Sequence, residues 1–175
     1  MNEVAAALVE HFGMEPLPVE GTYFVSSYRS STVTAAGIPA GTAIVGLHCA
    51  APPSRSLFHR LDFDELWHFY GGDPIRLVLL HPAGDSEEIA LGSDVLAGQH
   101  VQCVIPAGVW QAGELAPGGE WALFGCTVAP GFTGACFEGG SVGTLLAAYP
   151  GREVDIRRLG IPDGHDTSMP EGFSG

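Results

Sequence analysis

Positive charge is scarce in this chain: Lys and Arg together number 7 against 20 Asp and Glu, for a formal net charge of -13. Such a surface repels phosphate backbones and anionic lipid, and no basic patch offsets it, so neither nucleic acid nor a membrane surface is expected as a partner. No apolar run reaches the roughly 18 to 20 residues of a membrane span, and the amino terminus lacks the basic start and long apolar segment of a signal peptide. The expectation is a soluble, cytoplasmic protein. Cysteine is sparse as well. Cys49, Cys103, Cys126 and Cys136 are widely spaced and form no C-x-x-C pair. That spacing gives no zinc ribbon and no dense disulfide framework, and leaves reduced thiols half-buried in strands. Several catalytic signatures are missing too. There is no G-x-S-x-G and no G-x-G-x-x-G after a strand, and the glycine-rich AAGIPAG and GELAPGGE punctuate hairpins without a lysine to meet a phosphate.

What is present points to strands. Hydrophobic residues make up 46% of the chain and charged residues 15%, with 25 glycines and 13 prolines, which suits short strands and tight turns. A length of 175 residues suits one buried core. NEVAAALVEHFG sets Val4, Leu8 and Phe12 on one helical stripe, and Gly13 is placed to end a short N-terminal helix. From Gly21 the period becomes two. Strands are expected at Tyr23–Tyr28, Thr42–Cys49, Leu57–Leu61, Glu65–Tyr70, Ile75–Leu80, Glu87–Leu91, Val101–Ile105, Val109–Gly113 and Trp121–Ala129. The fold class is therefore all-β, a sandwich or barrel forming one domain over residues 1–162. Residues 163–175, DGHDTSMPEGFSG, hold little to bury and read as a flexible tail. Arg152, Arg157 and Arg158 in GREVDIRRLG read as a solvated strand or a subunit contact.

Chemistry concentrates in FHRLDFDELWHFYGG, from Phe58 to Gly72. Residues two apart on a strand share a face, so a barrel wall can build a metal cage from an alternating pair and a carboxylate on the next strand. His59 and Glu65 have that spacing, but Leu61 stands where the second imidazole would be. Alternation puts Trp67 and Phe69 on the face of Glu65, to line a cavity or pack a core, and sends His68 to the opposite face. Arg29 shares strand spacing with Tyr23 and is placed either to hold a substrate carboxylate or phosphate by its fork or to make a surface ion pair.

These motifs resemble the cupins. His59, Glu65 and Gly72 match the first cupin motif. Pro106 and Gly108 match the second, with Gln111 at its histidine position. Successive blocks EPLPVEGTYFVSSYRSS, SLFHRLDFDELWHFYGGDPIRLVLL, LGSDVLAGQHVQCVIPAGVWQAG and LFGCTVAPGF are similar to those of the fifth cupin subfamily, single-domain jelly rolls of unknown function. Two residues depart from that group: Thr22 stands where a second glycine is usual, and His48 where an apolar residue is usual. The resemblance implies a cupin jelly roll (a double-stranded β-helix), a homodimer and a barrel that binds a small polar molecule.

Three readings of the site follow. In the first, His59 is the general acid or base of an epimerase, isomerase or lyase, oriented by Glu65, with Tyr23, Arg29, His48, Trp67, Phe69 and Gln111 around the ligand and no cofactor required. In the second, a single divalent metal ion is held by His59, Glu65 and Gln111, helped by His48, as in a metal-dependent cupin enzyme such as a dioxygenase. In the third, the barrel is a non-catalytic small-ligand binding protein.

Overall fold

The computed structural model describes residues 1–174; Gly175, the last residue of the expected tail, lies outside them. Its elements run α1 (Glu3–Phe12), β1 (Glu15–Pro16), β2 (Tyr23–Arg29), β3 (Thr42–Cys49), β4 (Ser56–Leu61), β5 (Glu65–Gly72), β6 (Ile75–Leu80), β7 (Ser86–Leu91), β8 (Gln102–Ile105), β9 (Trp110–Leu115), β10 (Trp121–Val128), β11 (Phe137–Gly139), α2 (Val142–Ala148) and α3 (Glu153–Leu159). The strands form two antiparallel sheets, ordered β1-β2-β3-β10-β5-β8 and β11-β4-β9-β6-β7. All the expected strands are present, and β1 and β11 are added. No helix among the described residues is long and apolar enough to cross a membrane.

Helix α1 begins where the Asn2 side chain accepts from the Val4 amide and ends at Gly13, whose φ of 63° a glycine adopts without strain. Its buried stripe centres on Ala5, with Leu8, Val9 and Phe12 packed on β2 and β3 residues, while Val4 is exposed. Between the sheets lie Trp67, Ile75, Leu77, Leu79 and Phe124. The rings of Trp67 and Phe124 stack with centroids 4.7 Å apart. Gly46 makes room for this, since a Cβ there would sit 2.5 Å from the Phe124 ring.

The run IRLVLL of β6 is apolar on both faces because it is buried on both. Leu77 and Leu79 face the other sheet, and Val78 and Leu80 lie under α2 and α3 with Phe58, Trp110, Leu145, Ile156 and Leu159. Each such side chain contributes about 1.5–3 kcal/mol by leaving water. These two helices correct the sequence reading of GREVDIRRLG. Arg152 lies in a single tight turn and Arg157 and Arg158 in α3, not in a strand. Glycine and proline around the segment obscure its helical spacing, although Tyr149, Ile156 and Leu159 are buried. Arg76 Nη1 donates to Asp155 Oδ1 at 2.8 Å and Arg158 Nη2 to Glu114 Oε1 at 2.6 Å, pinning α3 to β6 and β9.

After α3 the chain runs back to pack against the residues around Leu17, Val128 and Phe137. Met169 is buried, and Phe173 packs among Leu17, Phe24, Val128, Phe132 and Phe137.

Candidate functional site

An irregularity in β4 aims the central histidine. Ser56 pairs with Gly113 and His59 with Gln111, so three residues on β4 span two on β9. Such a bulge breaks strict alternation and re-aims a side chain. It places Ser56 and His59 on the same cavity wall, while Phe58 turns to the helices. His59 Nδ1 donates to the Leu57 carbonyl within the bulge at 2.8 Å, which fixes the ring and directs Nε2 to Glu65 Oε2, 4.0 Å away. The Phe137 ring stacks on the imidazole at 5.3 Å with an interplanar angle of 15°.

The second acid at this histidine is Glu20, which the sequence reading missed. Its Oε2 lies 3.5 Å from His59 Nδ1, and both residues are buried. Glu20 is delivered by a strained turn: Val19 has φ of 70°, and the Glu20 amide donates to the Pro18 carbonyl at 2.8 Å. A β-branched residue rarely adopts that conformation, and such strain persists where surrounding structure enforces it, often at functional sites. Here the Leu17 amide bonds to the Thr22 carbonyl at 2.7 Å and closes the loop. No spacing rule points to Glu20; the P-V-E-G turn beside a strand was the available signal.

Both groups are raised above their ordinary values, by different causes. Burial opposes a charge on His59, but Glu20 and then Glu65 outweigh it and raise the imidazole to about 9. For Glu20, burial raises the carboxyl to about 6, with Glu65 adding to the rise and His59 and Ser56 opposing it. At neutral pH the site therefore holds an imidazolium beside an ionised but easily protonated Glu20.

Gln111 sits opposite His59 on β9 and connects two other residues. Trp67 Nε1 donates to Gln111 Oε1 at 2.8 Å, and Gln111 Nε2 donates to Glu65 Oε2 at 2.7 Å. This corrects its expected role as a metal ligand. An indole N–H can only donate, so the one amide atom able to bind a metal is turned to Trp67. The two acids flank opposite nitrogens of the imidazole, so one ion cannot share the ring with both of them. Among the described residues no group of three or more His, Cys, Asp and Glu is arranged to hold a metal ion. The donor set does not fit the three protein ligands of a mononuclear centre.

The remaining expected residues divide. Trp67 lines the inner part of the cavity. His48 is fully buried beside Trp67 and Phe124, its ring 4.6 Å from that of Phe124, and does not line the cavity. Burial lowers its pKa to about 3, so it is neutral. Its Nε2 is 3.3 Å from Ser56 Oγ, which is 2.9 Å from Thr22 Oγ1. The two residues that depart from the cupin subfamily pattern thus meet at one hydroxyl. Tyr23 faces away, packed under α1, and its neighbour Phe24 is the residue that lines the cavity. Phe69 packs in the intersheet core beyond the cavity. Arg29 is exposed. An irregularity between Ser26 and Tyr28 leaves Arg29 opposite Thr42 at the rim, where its Nη1 donates to the Ser174 carbonyl at 2.6 Å. The arginine expected to hold a ligand instead holds the C-terminal segment. His68 is outside the cavity, bonded to Thr127 Oγ1 at 3.0 Å.

The cavity has two lobes that share Leu17, Glu20, Ile44, His59, Glu65 and Cys126. The inner lobe, about 20 Å³, is closed by Thr22, Ser56, Trp67 and Phe124. The outer one, about 50 Å³, is walled by Phe24, Phe132, Phe137 and Phe173. All four cysteines are free. Cys126 faces the cavity, but burial foremost and the nearby acids raise its thiol well above the ordinary range, so it is no nucleophile at neutral pH.

The model of the Cupin superfamily (DUF985) matches residues 6–139. The chain belongs to this family. A solved protein from Shewanella oneidensis is 32% identical to this cupin, covering 91% of this chain and 98% of its own, with a TM-score of 0.83. A hypothetical protein from Leishmania major is 27% identical, covering 89% of this cupin and 98% of its own, with a TM-score of 0.80. Among curated proteins no sequence match was found. The cupin jelly roll expected from the motifs is thereby established.

Proposed function

We propose that this cupin binds a small polar molecule in the barrel and moves a proton on it, as an epimerase, isomerase or lyase does. One observation carries the reading: His59 is buried in the cavity with an acid at each ring nitrogen. Groups whose environments drive their pKa values apart divide the roles of acid and base. His59, charged at neutral pH, is the acid. Its Nε2 is 4.0 Å from Glu65 Oε2, too far for a hydrogen bond, so a ligand oxygen or nitrogen can take the proton it carries. Glu20, raised to about 6, is the base close to working pH. Gln111 holds Glu65, and Phe137 and the Leu57 carbonyl hold the imidazole. A homodimer is part of this reading.

Proton transfer to and from carbon leaves a trace that needs no knowledge of the substrate. Pools of small sugars, polyols, keto acids and amines are incubated with the protein in heavy water and read by mass spectrometry. The wild type should place deuterium on carbon in at least one pool, and His59→Gln should slow this by about 10²–10⁴-fold. Exchange unchanged in His59→Gln contradicts the reading. A wild type that binds a compound yet exchanges nothing is a binding protein.

A further inference from the structure

The lining of the cavity has a charge pattern that selects its ligand. Among the described residues no arginine lines either lobe, and the chain contains no lysine. Six of the seven arginines are engaged elsewhere: Arg29 at the Ser174 carbonyl, Arg60 with Glu138, Arg157 with Glu153, and Arg76, Arg152 and Arg158 with the acids around α3; Arg55 lies outside both lobes. Among the described residues the only basic group lining the cavity is His59, and it already stands between Glu20 and Glu65. An anionic ligand would meet two acids and find no free cation. The outer lobe adds four phenylalanines. Phe173 lies 6.2 Å from Phe24, with rings tilted, and 6.2 Å from Phe132 in an edge-on arrangement, while Phe137 closes the side next to His59. Aromatic rings present negative faces, and a group of them beside carboxyl groups is the chemistry that recognises an organic ammonium.

We propose that the cavity takes a small organic ammonium, with its charged centre among Phe24, Phe132, Phe137 and Phe173 and within reach of Glu20. The proposal rests on the reading of this cavity as the ligand site, and it replaces the expectation that Arg29 holds a carboxylate or phosphate. The space of about 50 Å³ restricts the ligand to a few heavy atoms while the C-terminal segment is closed.

Three compounds of nearly equal shape isolate the effect of charge: tetramethylammonium, tert-butanol and pivalate. Each is titrated at constant ionic strength into the full-length ¹⁵N-labelled protein, following the amides of Cys126, Gly134, Phe137 and Phe173. Tetramethylammonium should shift these amides and bind at least ten-fold more tightly than the other two. Glu20→Gln should weaken it at least ten-fold yet leave tert-butanol within two-fold. Phe173→Ala, at the edge of the fold, should weaken it at least five-fold. Equal or tighter binding of pivalate or tert-butanol overturns the cation proposal and leaves the ligand site standing. If none of the three moves these amides, both are overturned.

Discussion

Trp67 Nε1 donates to Gln111 Oε1 at 2.8 Å, and this bond decides what Gln111 can be. With its oxygen committed to the indole, the amide must present its N–H to Glu65 Oε2, at 2.7 Å. The side chain at the histidine position of the second cupin motif is therefore a holder of Glu65. The order of the chain Trp67, Gln111, Glu65 sets Glu65 Oε2 between the Gln111 amide and His59 Nε2, 4.0 Å away.

Gln111→Leu keeps the volume and removes both bonds, leaving a buried indole N–H without a partner and a buried carboxyl without its amide donor. Each such loss costs about 1–3 kcal/mol, so the variant should lose about 2–6 kcal/mol in denaturant unfolding. A loss below about 1 kcal/mol would mean that the relay contributes nothing.

The donor set also predicts how the protein meets chelators. A resident ion bound only by the native state stabilises it by mass action, and stripping it lowers Tm. With Gln111 Oε1 occupied and the two acids on opposite sides of the ring, prolonged dialysis against a chelator should leave Tm within about 1 °C; at about 2–4 °C per kcal/mol for a chain of this size, a bound ion would show clearly. A fall of several degrees, restored by one divalent metal, contradicts this.

Arg29 holds the C-terminal segment over the cavity. The Gly134 amide donates to the Phe173 carbonyl at 3.0 Å and reports whether that segment is closed. Arg29→Ala should raise hydrogen exchange at Gly134 by about ten-fold or more while leaving Phe124 in the core unchanged. Unchanged exchange at Gly134 would show that the segment is held without Arg29.

The strands and the nearness of His59 to Glu65 were legible because period-two alternation and motif spacing are local properties of the chain. What escaped depends on departures from regularity. The bulge between Ser56 and His59 puts both on one wall, and the irregularity after Ser26 shifts Arg29 to the rim. Strict alternation also chose the wrong member of the pair Tyr23 and Phe24. Glu20 lies in a loop, where no periodicity operates, and only the three-dimensional closure of the barrel brings it to His59. Helices α2 and α3 were missed because each is a 7-residue element stabilised by the sheet beneath it more than by its own sequence.

The two raised pKa values set the pH dependence of stability. In the folded protein Glu20 titrates near 6 in place of 4.5, and His59 near 9 in place of 6.5. Both changes make the native state hold more protons than the unfolded chain. Their contribution is fully present at the acid end of each window and is lost as pH rises, from 4.5 to 6 for Glu20 and from 6.5 to 9 for His59. The difference in unfolding free energy between wild type and Glu20→Gln should therefore move against the wild type across the lower window. Parallel stability profiles for the two proteins would contradict it.

The central claim is that His59 is an imidazolium at neutral pH because Glu20 and Glu65 hold it so. Side-chain NMR of His59 across pH 5 to 10 tests this directly. The account predicts a midpoint near 9 that falls toward 6.5 in Glu20→Gln. A midpoint at or below 6.5 in the wild type, unmoved by that substitution, would contradict it.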